Sequence, residues 1–271
     1  SIMPSVDKHY SQSLQPDEIL KRLNEAYPDG PNVYQLAPID QLHIGGIKAS
    51  EKLAKRLSEF KASKVLDIGS GLGGLLRVCS QQHEAIYVSL DITHELSCIN
   101  QHLNKLSKTN CPSMVVTGNG QQLPFPNQSF DLIIMQHSLL NMPDKRAVLN
   151  ECKRILSPDG HLILHEVLTG KNSDKMLFPV PWASASDLSH LISSAEISAL
   201  ISSVSMKVES IQDWSAEALS WRSRQTSKQQ TLHAPVVTPG MILGSDFALM
   251  GKNVQRNLEK SAIEIVEIVI S

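Results

Sequence analysis

A run of glycines near residue 70 has the spacing of a nucleotide-binding turn. The stretch VLDIGSGLGG, residues 65–74, has glycines at positions 69, 71 and 74, the spacing of the dinucleotide fingerprint. It also has glycines at positions 69, 71 and 73 with Asp67 upstream, the pattern of a different nucleotide cofactor. Glycines let the backbone approach a ligand closely, and a helix is expected to begin after the turn. The glycines alone leave both cofactors open.

A second acidic residue has the spacing that ribose recognition requires. Asp91 ends the apolar stretch AIYVSLD, about 20 residues after the first glycine of the turn. Either cofactor carries a ribose whose hydroxyls such a carboxylate binds, so Asp91 predicts a nucleoside without deciding which one.

Asp67 separates the two cofactors. A dinucleotide presents a pyrophosphate at this turn, and a carboxylate beside it would be repelled. S-adenosylmethionine has no phosphate and presents an ammonium and a sulfonium, which suit a neighbouring acid. Asn119, just beyond the apolar run MVVT, is positioned to meet an adenine edge. The residues favour S-adenosylmethionine over NAD(P), and no Tyr-x-x-x-Lys pair supports the alternative of an NAD(P)-dependent oxidoreductase.

Alternating strands and helices must position these residues. Apolar runs and helical periodicity predict a helix over QPDEILKRLNEAY and helices at 45–60, 94–108 and 144–160. Strands are predicted at 64–68, 85–91, 114–117, 130–135 and 161–168. Short connections between them predict right-handed crossovers and a doubly wound, mostly parallel α/β sheet.

The pattern changes after residue 168. Residues 169–190 are expected to form a loop or lid, and a helix follows with a predicted capping box of Ser193 and Glu196. Two late strands, at 206–211 and 262–270, predict an antiparallel pair that closes a seven-stranded sheet. The intervening segment, 212–261, suggests a lid or a dimer contact, which leaves a homodimer open.

Three regions are therefore expected along the chain. An N-terminal helical arm or lid covers residues 1–44, and the nucleotide-binding core covers residues 45–168. Residues 169–271 supply the substrate-side lid and the strands that complete the same sheet.

Composition argues for an ordinary soluble globular protein. The 271 residues are 41% hydrophobic and 19% charged, with a net charge of −2, so neither a nucleic-acid nor a membrane partner is expected. No apolar run approaches the roughly 20 residues that span a bilayer, and the first residues do not resemble a secretory signal. The four cysteines lack metal-binding spacing, so no metal is expected. A cytoplasmic location is the simplest expectation.

Longer motifs resemble a known family. The run GNGQQLPFPNQSFDLIIMQHSLLNMPD, followed by LNECKRILSPDGHLIL, resembles the class I S-adenosylmethionine-dependent methyltransferases. It is most similar to the sarcosine/dimethylglycine and phosphoethanolamine N-methyltransferases and the ubiquinone/menaquinone-biosynthesis methyltransferases. DQLHIGGIKASEKLAKRL looks like the helix before the cofactor turn in the N-methyltransferases, and PVPWASASDLSHLISSAEISALI resembles their substrate-side segment. The resemblance covers roughly residues 40–211.

The resemblance implies which residues bind S-adenosylmethionine. Those at the methionine end and the turn are Asp67, Gly69, Ser70, Gly71, Gly73 and Gln136. Those around the ribose and adenine are Asp91, Ile92, Asn119, Gly120 and Gln121. The family usually has Asp-Ala where this chain has Asn119-Gly120. An Asn side chain can both accept and donate at adenine, so binding is expected to survive.

Candidate catalytic residues lie where doubly wound sheets place ligands, at the carboxyl ends of strands. His137 follows the fourth predicted strand, His165 and Glu166 end the fifth, and His43 belongs to the arm. At least two of these four are expected to face the substrate, and which one acts as a base stays open. The sequence predicts the following further substrate-side residues: Gln41, Asn141 and Trp182.

Two of these substrate-side residues depart from the family pattern. Asn141 stands where the family often has His, and Gln41 stands where the phosphoethanolamine enzymes have Tyr. Their catalytic pair is therefore not carried over. The predicted function is methyl transfer to a small molecule, first an amine nitrogen, with carbon or oxygen of a quinone-like or phenolic metabolite as the alternative.

Overall fold

A single mixed sheet organises the part of the chain that the structure describes. The computed structural model describes residues 15–108, 111, 113–229 and 235–271, and for residues 223–229 it describes the backbone only. Its strands are β1 (Lys64–Ile68), β2 (Ile86–Asp91), β3 (Ser113–Thr117), β4 (Phe130–Gln136), β5 (Leu156–Thr169), β6 (Val208–Asp213) and β7 (Ile263–Ile270). They lie in the order β3-β2-β1-β4-β5-β7-β6.

The strand directions confirm the predicted α/β sheet. β1 pairs in parallel with β2 and β4, β3 in parallel with β2, and β5 in parallel with β4. β7 is antiparallel to both β5 and β6. The late strands therefore complete the same sheet, as the sequence predicts.

Helices cover both faces of this sheet. Their bounds are α1 (Pro16–Ala26), α2 (Val33–Asp40), α3 (Gly46–Glu59), α4 (Gly74–Gln82), α5 (His94–Leu106), α6 (Lys145–Ile155), α7 (Ser194–Ser203), α8 (Ser215–Gln229), α9 (Gly240–Leu243) and α10 (Phe247–Glu259). One apolar cluster joins one face of the sheet to α3, α4 and α10, and a second joins the other face to α6 and α7. A third cluster packs α1 and α2 against α5.

Local signals in the sequence set several helix ends. The side chain of Asp144 accepts a hydrogen bond from the Ala147 N–H at 3.0 Å and caps α6. Ser193 and Glu196 form the predicted capping box of α7. These caps satisfy amide groups that have no partner within their own helix.

The predicted helix 144–160 is too long. α6 ends at Ile155, and β5 begins at the next residue, where Leu156 pairs with Phe130 of β4. Pro158 has no N–H to continue the helical ladder, and pairing with β4 takes over. The register then shifts before Leu132 pairs with His161.

Strand alternation gathers the polar residues on one face. Asp67, Asp91, Gln136 and His165 each follow a side chain that packs in the second cluster, so they point to the face covered by α3 and α4. The sheet thereby brings four sequence-separated polar groups to its carboxyl edge.

Parts of two predicted segments lie outside the described residues. Residues 1–14 of the predicted arm and residues 230–234 of the late segment are among these. The described arm contains α2, which the sequence reading did not anticipate and which begins with a capping box of Asn32 and Gln35. Among the described residues, no helix has the length and apolarity needed to cross a bilayer.

Candidate functional site

The glycine turn joins β1 to α4 and bends back toward the end of β2. Gly69, Gly71 and Gly73 have φ angles of 80°, 54° and 83°, which side chains other than glycine rarely adopt. The N–H groups of Gly69 and Ser70 donate to the Leu90 carbonyl at 2.8 and 3.0 Å. These bonds fix the turn against the second strand.

Asp91 braces this turn from the end of β2. The Gly71 N–H donates to Asp91 Oδ2 and the Thr93 N–H to Asp91 Oδ1, each at 2.9 Å. Each carboxylate oxygen can accept a further bond. The Asp91 carboxylate is thus held rigidly at the edge where a ribose is expected.

The predicted adenine-side residues stand beside Asp91 at the ends of β2 and β3. The Ile92 side chain is 46% exposed. Asn119 Oδ1 accepts from the Gln121 N–H at 2.9 Å, which forms a tight turn with Gly120 at its centre. These residues lie outside the lining of the crevice described next.

A crevice of about 570 Å³, including solvent-open space, runs along the glycine turn. The turn and β1 form one wall and the arm forms another. The lining residues are Ile39, Asp40, Leu42, His43, Asp67, Gly69, Ser70, Gly71, Leu72, Leu75, Leu96, Gln136, His137 and Ile242. This crevice brings together five of the six predicted residues of the methionine end and the turn, all but Gly73, and two of the candidate catalytic histidines.

Asp67 is buried in the crevice wall with an unsatisfied oxygen. Its Oδ1 atom has no hydrogen-bond partner among the described residues. Burial raises the pKa of Asp67 to about 7, and the nearby Asp91 adds to the rise. A ligand that brings a positively charged hydrogen-bond donor would stabilise the ionised form of this buried carboxyl.

Three imidazoles meet at the crevice end. We call His43, His137 and His165 the histidine cluster. Ring centroids are 4.7 Å apart for His137 and His165, 5.8 Å for His43 and His137, and 5.9 Å for His43 and His165. Burial lowers the pKa of all three, to about 4 for His43, so the rings are uncharged near neutral pH.

His137 has a strained backbone within this cluster. Its φ of 52° lies in the left-handed region, and its N–H donates to the His165 carbonyl at 2.8 Å. Its Nε2 atom is buried without a hydrogen-bond partner among the described residues. The main chain thus presents this imidazole to the crevice that it lines.

A polar network ties the cluster to the arm. Ser50 Oγ donates to Gln41 Oε1 at 2.6 Å and lies 3.2 Å from His43 Nε2. Gln136 Nε2 lies 3.3 Å from His165 Nδ1 and 3.4 Å from Ser50 Oγ. The amide of Gln136 donates in both contacts, so His165 Nδ1 is the accepting nitrogen. Gln41, which the sequence predicts on the substrate side, accepts the hydrogen bond of Ser50 in this network.

Trp214 is a neighbour that sequence reasoning missed. Its ring lies 4.9 Å from that of His165, and Lys52 Nζ lies 4.3 Å from the centre of the Trp214 ring. Lys52 also pairs with Glu217 at 2.6 Å, which fastens α8 to α3. The only hint in the sequence was a tryptophan three residues after the predicted strand 206–211.

The structure does not bring Glu166 to the cluster. Glu166 points to the opposite face of the sheet, where its carboxyl accepts from the N–H groups of Leu139 and Leu140 at 2.9 and 3.4 Å. Burial raises the pKa of Glu166 to about 8. Adjacent strand residues point to opposite faces, so Glu166 lies on the other side of the sheet from His165 and the crevice.

The other two substrate-side predictions occupy buried positions. Asn141 ends the turn Leu139–Asn141, and its Nδ2 atom has no partner among the described residues. Trp182 packs in the first apolar cluster, and no described ring contact joins it to the histidines. Among the described residues, no group of His, Cys, Asp and Glu side chains is arranged to hold a metal ion.

The residues of the crevice fit S-adenosylmethionine. Asp67, with its unsatisfied oxygen, lines the cavity, which suits a cationic amino-acid group and would repel a pyrophosphate. The glycine turn and Asp91 supply the nucleoside end.

Comparison with known proteins agrees with this fit. Residues 66–164 match the family described as "Methyltransferase domain". Over 172 residues the chain is 24% identical to a sarcosine/dimethylglycine N-methyltransferase of Aphanothece halophytica, covering 58% of this chain and 62% of the relative. It is 30% identical over 121 residues to a demethylmenaquinone methyltransferase of Thermotoga maritima, covering 45% and 51%. The chain thus spans about half to three fifths of the length of these relatives.

Solved structures share the fold over more of the chain. A geranyl diphosphate C-methyltransferase of Streptomyces coelicolor, in complex with S-adenosyl-L-homocysteine, has a TM-score of 0.66 at 13% identity and covers 98% of this chain and 96% of its own. A phosphoethanolamine N-methyltransferase of Haemonchus contortus has a TM-score of 0.67 at 12% identity, covering 88% and 56%.

These findings confirm the resemblance stated from the sequence and do not favour an oxidoreductase. Residues 66–164 thus match a methyltransferase domain, and the seven-stranded fold is shared with solved methyltransferases.

Proposed function

We propose that this protein transfers a methyl group to a small molecule bound against the histidine cluster. The observation that carries the proposal is the position of His137, which both lines the cofactor crevice and belongs to the cluster. An acceptor beside His137 would therefore meet the cofactor's methionine end. When bound, the cofactor supplies an electrophilic methyl group that an uncharged nucleophile takes by in-line displacement.

We propose an amine nitrogen as the acceptor atom. An amine must be deprotonated to attack, and a buried site with uncharged imidazoles favours its neutral form. The unpartnered Nε2 of His137 can take the proton that a primary or secondary amine must lose. Relatives named as sarcosine/dimethylglycine and phosphoethanolamine N-methyltransferases support the same acceptor class.

A quinone-like or phenolic acceptor is the second candidate. Transfer to carbon or oxygen requires a base close to the acceptor, and His137 offers a buried nitrogen with no other partner among the described residues. Relatives named as demethylmenaquinone and ubiquinone/menaquinone methyltransferases favour this candidate.

The cofactor contacts are assigned on the same basis. Asp67, Gly69 and Gln136 would hold the methionine end, Asp91 the ribose, and Asn119 the adenine. The donors and acceptors of these groups match the ligand, and three of them line the crevice. Gln136 would meet the methionine main-chain groups while it keeps His165 in place.

Cellular location and assembly also remain proposals. The four cysteines are free, with Cys79 and Cys152 buried, as in proteins of a reducing compartment. This supports the expected cytoplasmic location, which cell fractionation tests. A homodimer formed through the late segment is tested by sedimentation.

An acceptor screen tests the proposed function. Purified protein and S-adenosylmethionine are incubated with a panel of amines and a panel of phenols and quinols, and products are detected by the mass gain of one methylene unit. Turnover of an amine supports the first candidate, and turnover of phenols or quinols alone supports the second. If NADH but not S-adenosylhomocysteine raised the melting temperature, the cofactor assignment would be wrong.

A further inference from the structure

Asp40, at the end of α2, is a crevice residue that the assignments above do not use. Its carboxylate Oδ2 pairs with Arg77 Nη2 at 3.1 Å, and the two side chains are only 2% and 1% exposed. The other oxygen, Oδ1, is buried and has no hydrogen-bond partner among the described residues. One oxygen of this carboxylate is therefore paired with a guanidinium, and the other has no hydrogen-bond donor among the described residues.

Arg77 holds Asp40 in one orientation. Its guanidinium also donates to Asn100 Oδ1 at 2.9 Å, to Asn104 Oδ1 at 3.0 Å and to the Leu72 carbonyl of the glycine turn. Arg77 thus joins the arm, the turn, α4 and α5 at one point. Its Nη1 and Nη2 groups bond to several elements, whereas its Nε has no partner among the described residues, and in this orientation the guanidinium bonds to only one oxygen of Asp40.

The local surroundings reinforce this orientation. The carboxyl carbon of Asp40 lies so close to Gly74, the first residue of α4, that a Cβ there would be 2.7 Å from it. The positive end of a helix axis favours a carboxylate at that place. Burial raises the pKa of Asp40, and the pair with Arg77 opposes that rise.

Asp40 and Asp67 line the same crevice from different walls. Asp40 comes from the arm and Asp67 from β1, and each has one buried oxygen without a donor. An unpaired buried oxygen is costly, whereas a charge-assisted hydrogen bond is strong. An ammonium group has three N–H donors, enough to serve both oxygens at once.

We propose that Asp40 is a further cofactor-binding residue, whose Oδ1 accepts a hydrogen bond from the α-ammonium of S-adenosylmethionine together with Asp67. Arg77 is the positioning residue that keeps this oxygen turned into the crevice. The proposal rests on S-adenosylmethionine as the cofactor and gives the arm a direct role in holding it.

Two nucleosides test this role in the intact protein. S-adenosylhomocysteine carries the ammonium, and methylthioadenosine lacks the whole amino-acid group. Asp40→Asn should weaken S-adenosylhomocysteine about tenfold by calorimetry and leave methylthioadenosine within about twofold. Glu25→Gln, which removes an exposed charge from α1 of the same arm, should change neither affinity.

The ligand pair separates recognition from a purely structural role. Equal losses for both nucleosides, or no loss for S-adenosylhomocysteine, would overturn the proposal. If Asp40→Asn does not fold, Asp40→Glu keeps the charge but displaces the oxygen, and the same selective loss is expected.

Arg77→Lys tests the positioning role, because lysine keeps the charge without the planar guanidinium. It should weaken S-adenosylhomocysteine more than methylthioadenosine, and equal weakening would leave Arg77 only structural. A wild-type protein that binds neither nucleoside would instead contradict the cofactor assignment itself.

Discussion

His165 and Glu166 are neighbours in β5 with opposite surroundings. Both are fully buried, and burial shifts the pKa of each toward its uncharged form. His165 belongs to a cluster of rings beside the crevice, where its Nε2 has no partner among the described residues. Glu166 faces the other side of the sheet, and backbone N–H groups occupy its oxygens.

The difference shows which signals point to a site. Burial and a shifted pKa are common to both residues, so neither property distinguishes catalysis from structure. What differs is that His165 has a ring nitrogen without a hydrogen-bond partner among the described residues and lies beside the crevice. By that criterion the histidine cluster is the candidate for chemistry, and Glu166 anchors the turn that follows β4.

The largest expected effect is on the cluster side. His137→Ala should lower kcat about 100-fold, because a positioned acid–base group typically contributes at least that much. The dissociation constant of S-adenosylhomocysteine should stay within about twofold. Steady-state kinetics and calorimetry measure the two quantities. The exposed His102→Ala on α5 is the matched control, and an unchanged kcat for His137→Ala would remove His137 from the site.

Substitution of Glu166 is expected to change the stability of the fold. Glu166→Ala leaves the N–H groups of Leu139 and Leu140 without acceptors in a buried place, so the free energy of unfolding should fall by about 2 kcal/mol. Glu166→Gln keeps an acceptor oxygen and should lose less. Urea unfolding gives both values. A large loss of kcat in a fully folded Glu166→Gln would break the comparison.

Asp91 provides a smaller effect on the cofactor itself. Asp91→Ala should weaken S-adenosylhomocysteine by more than about tenfold, near 1.4 kcal/mol, because the ribose loses its acceptor and Gly71 loses its brace. Calorimetry measures the change. Unchanged affinity would contradict the ribose assignment.

The smallest expected effect is the pH dependence of cofactor binding. Because burial raises the pKa of Asp67 to about 7, the free protein gains its carboxylate as pH rises through that value. Affinity for S-adenosylmethionine should then increase, by up to about tenfold between about pH 6 and about pH 8. Asp67→Asn should show a flatter profile, and identical profiles would exclude Asp67 as the titrating group.

Asp67 acts on folding with the opposite sign. A carboxyl whose pKa is raised on folding stabilises the protein fully below its unfolded value and loses that contribution as pH rises through the folded value. The free energy of unfolding of the free protein should therefore fall as pH rises from about 4 to about 7 and level off above that, while ligand affinity rises as pH passes about 7. Unfolding curves without ligand measure this contribution.

The sheet was predictable because its signals are local. Apolar runs, turn glycines and caps such as Asp144 and Ser193 act within a few residues, and the structure confirms them. The end of α6 was misjudged because pairing of Leu156 with Phe130, a contact between distant segments, decides it.

The site was predictable only in part. Asp67, Gln136 and His165 could be located because each lies toward the carboxyl end of a strand, near the same edge of the sheet. The opposite orientation of Glu166 follows from strand alternation, which the register of β5 determines. Trp214 and Asp40 approach the site through packing of α8 and α2, and no local pattern encodes those contacts.

The position of β7 has a consequence for synthesis on the ribosome. This strand comes last along the described part of the chain, yet it lies between β5 and β6. Until residues 263–270 have emerged from the ribosome, the backbone N–H and C=O groups of β5 that pair with β7 have no partner strand. The nascent chain therefore exposes an open sheet edge. Chaperone protection during translation should matter most in that interval.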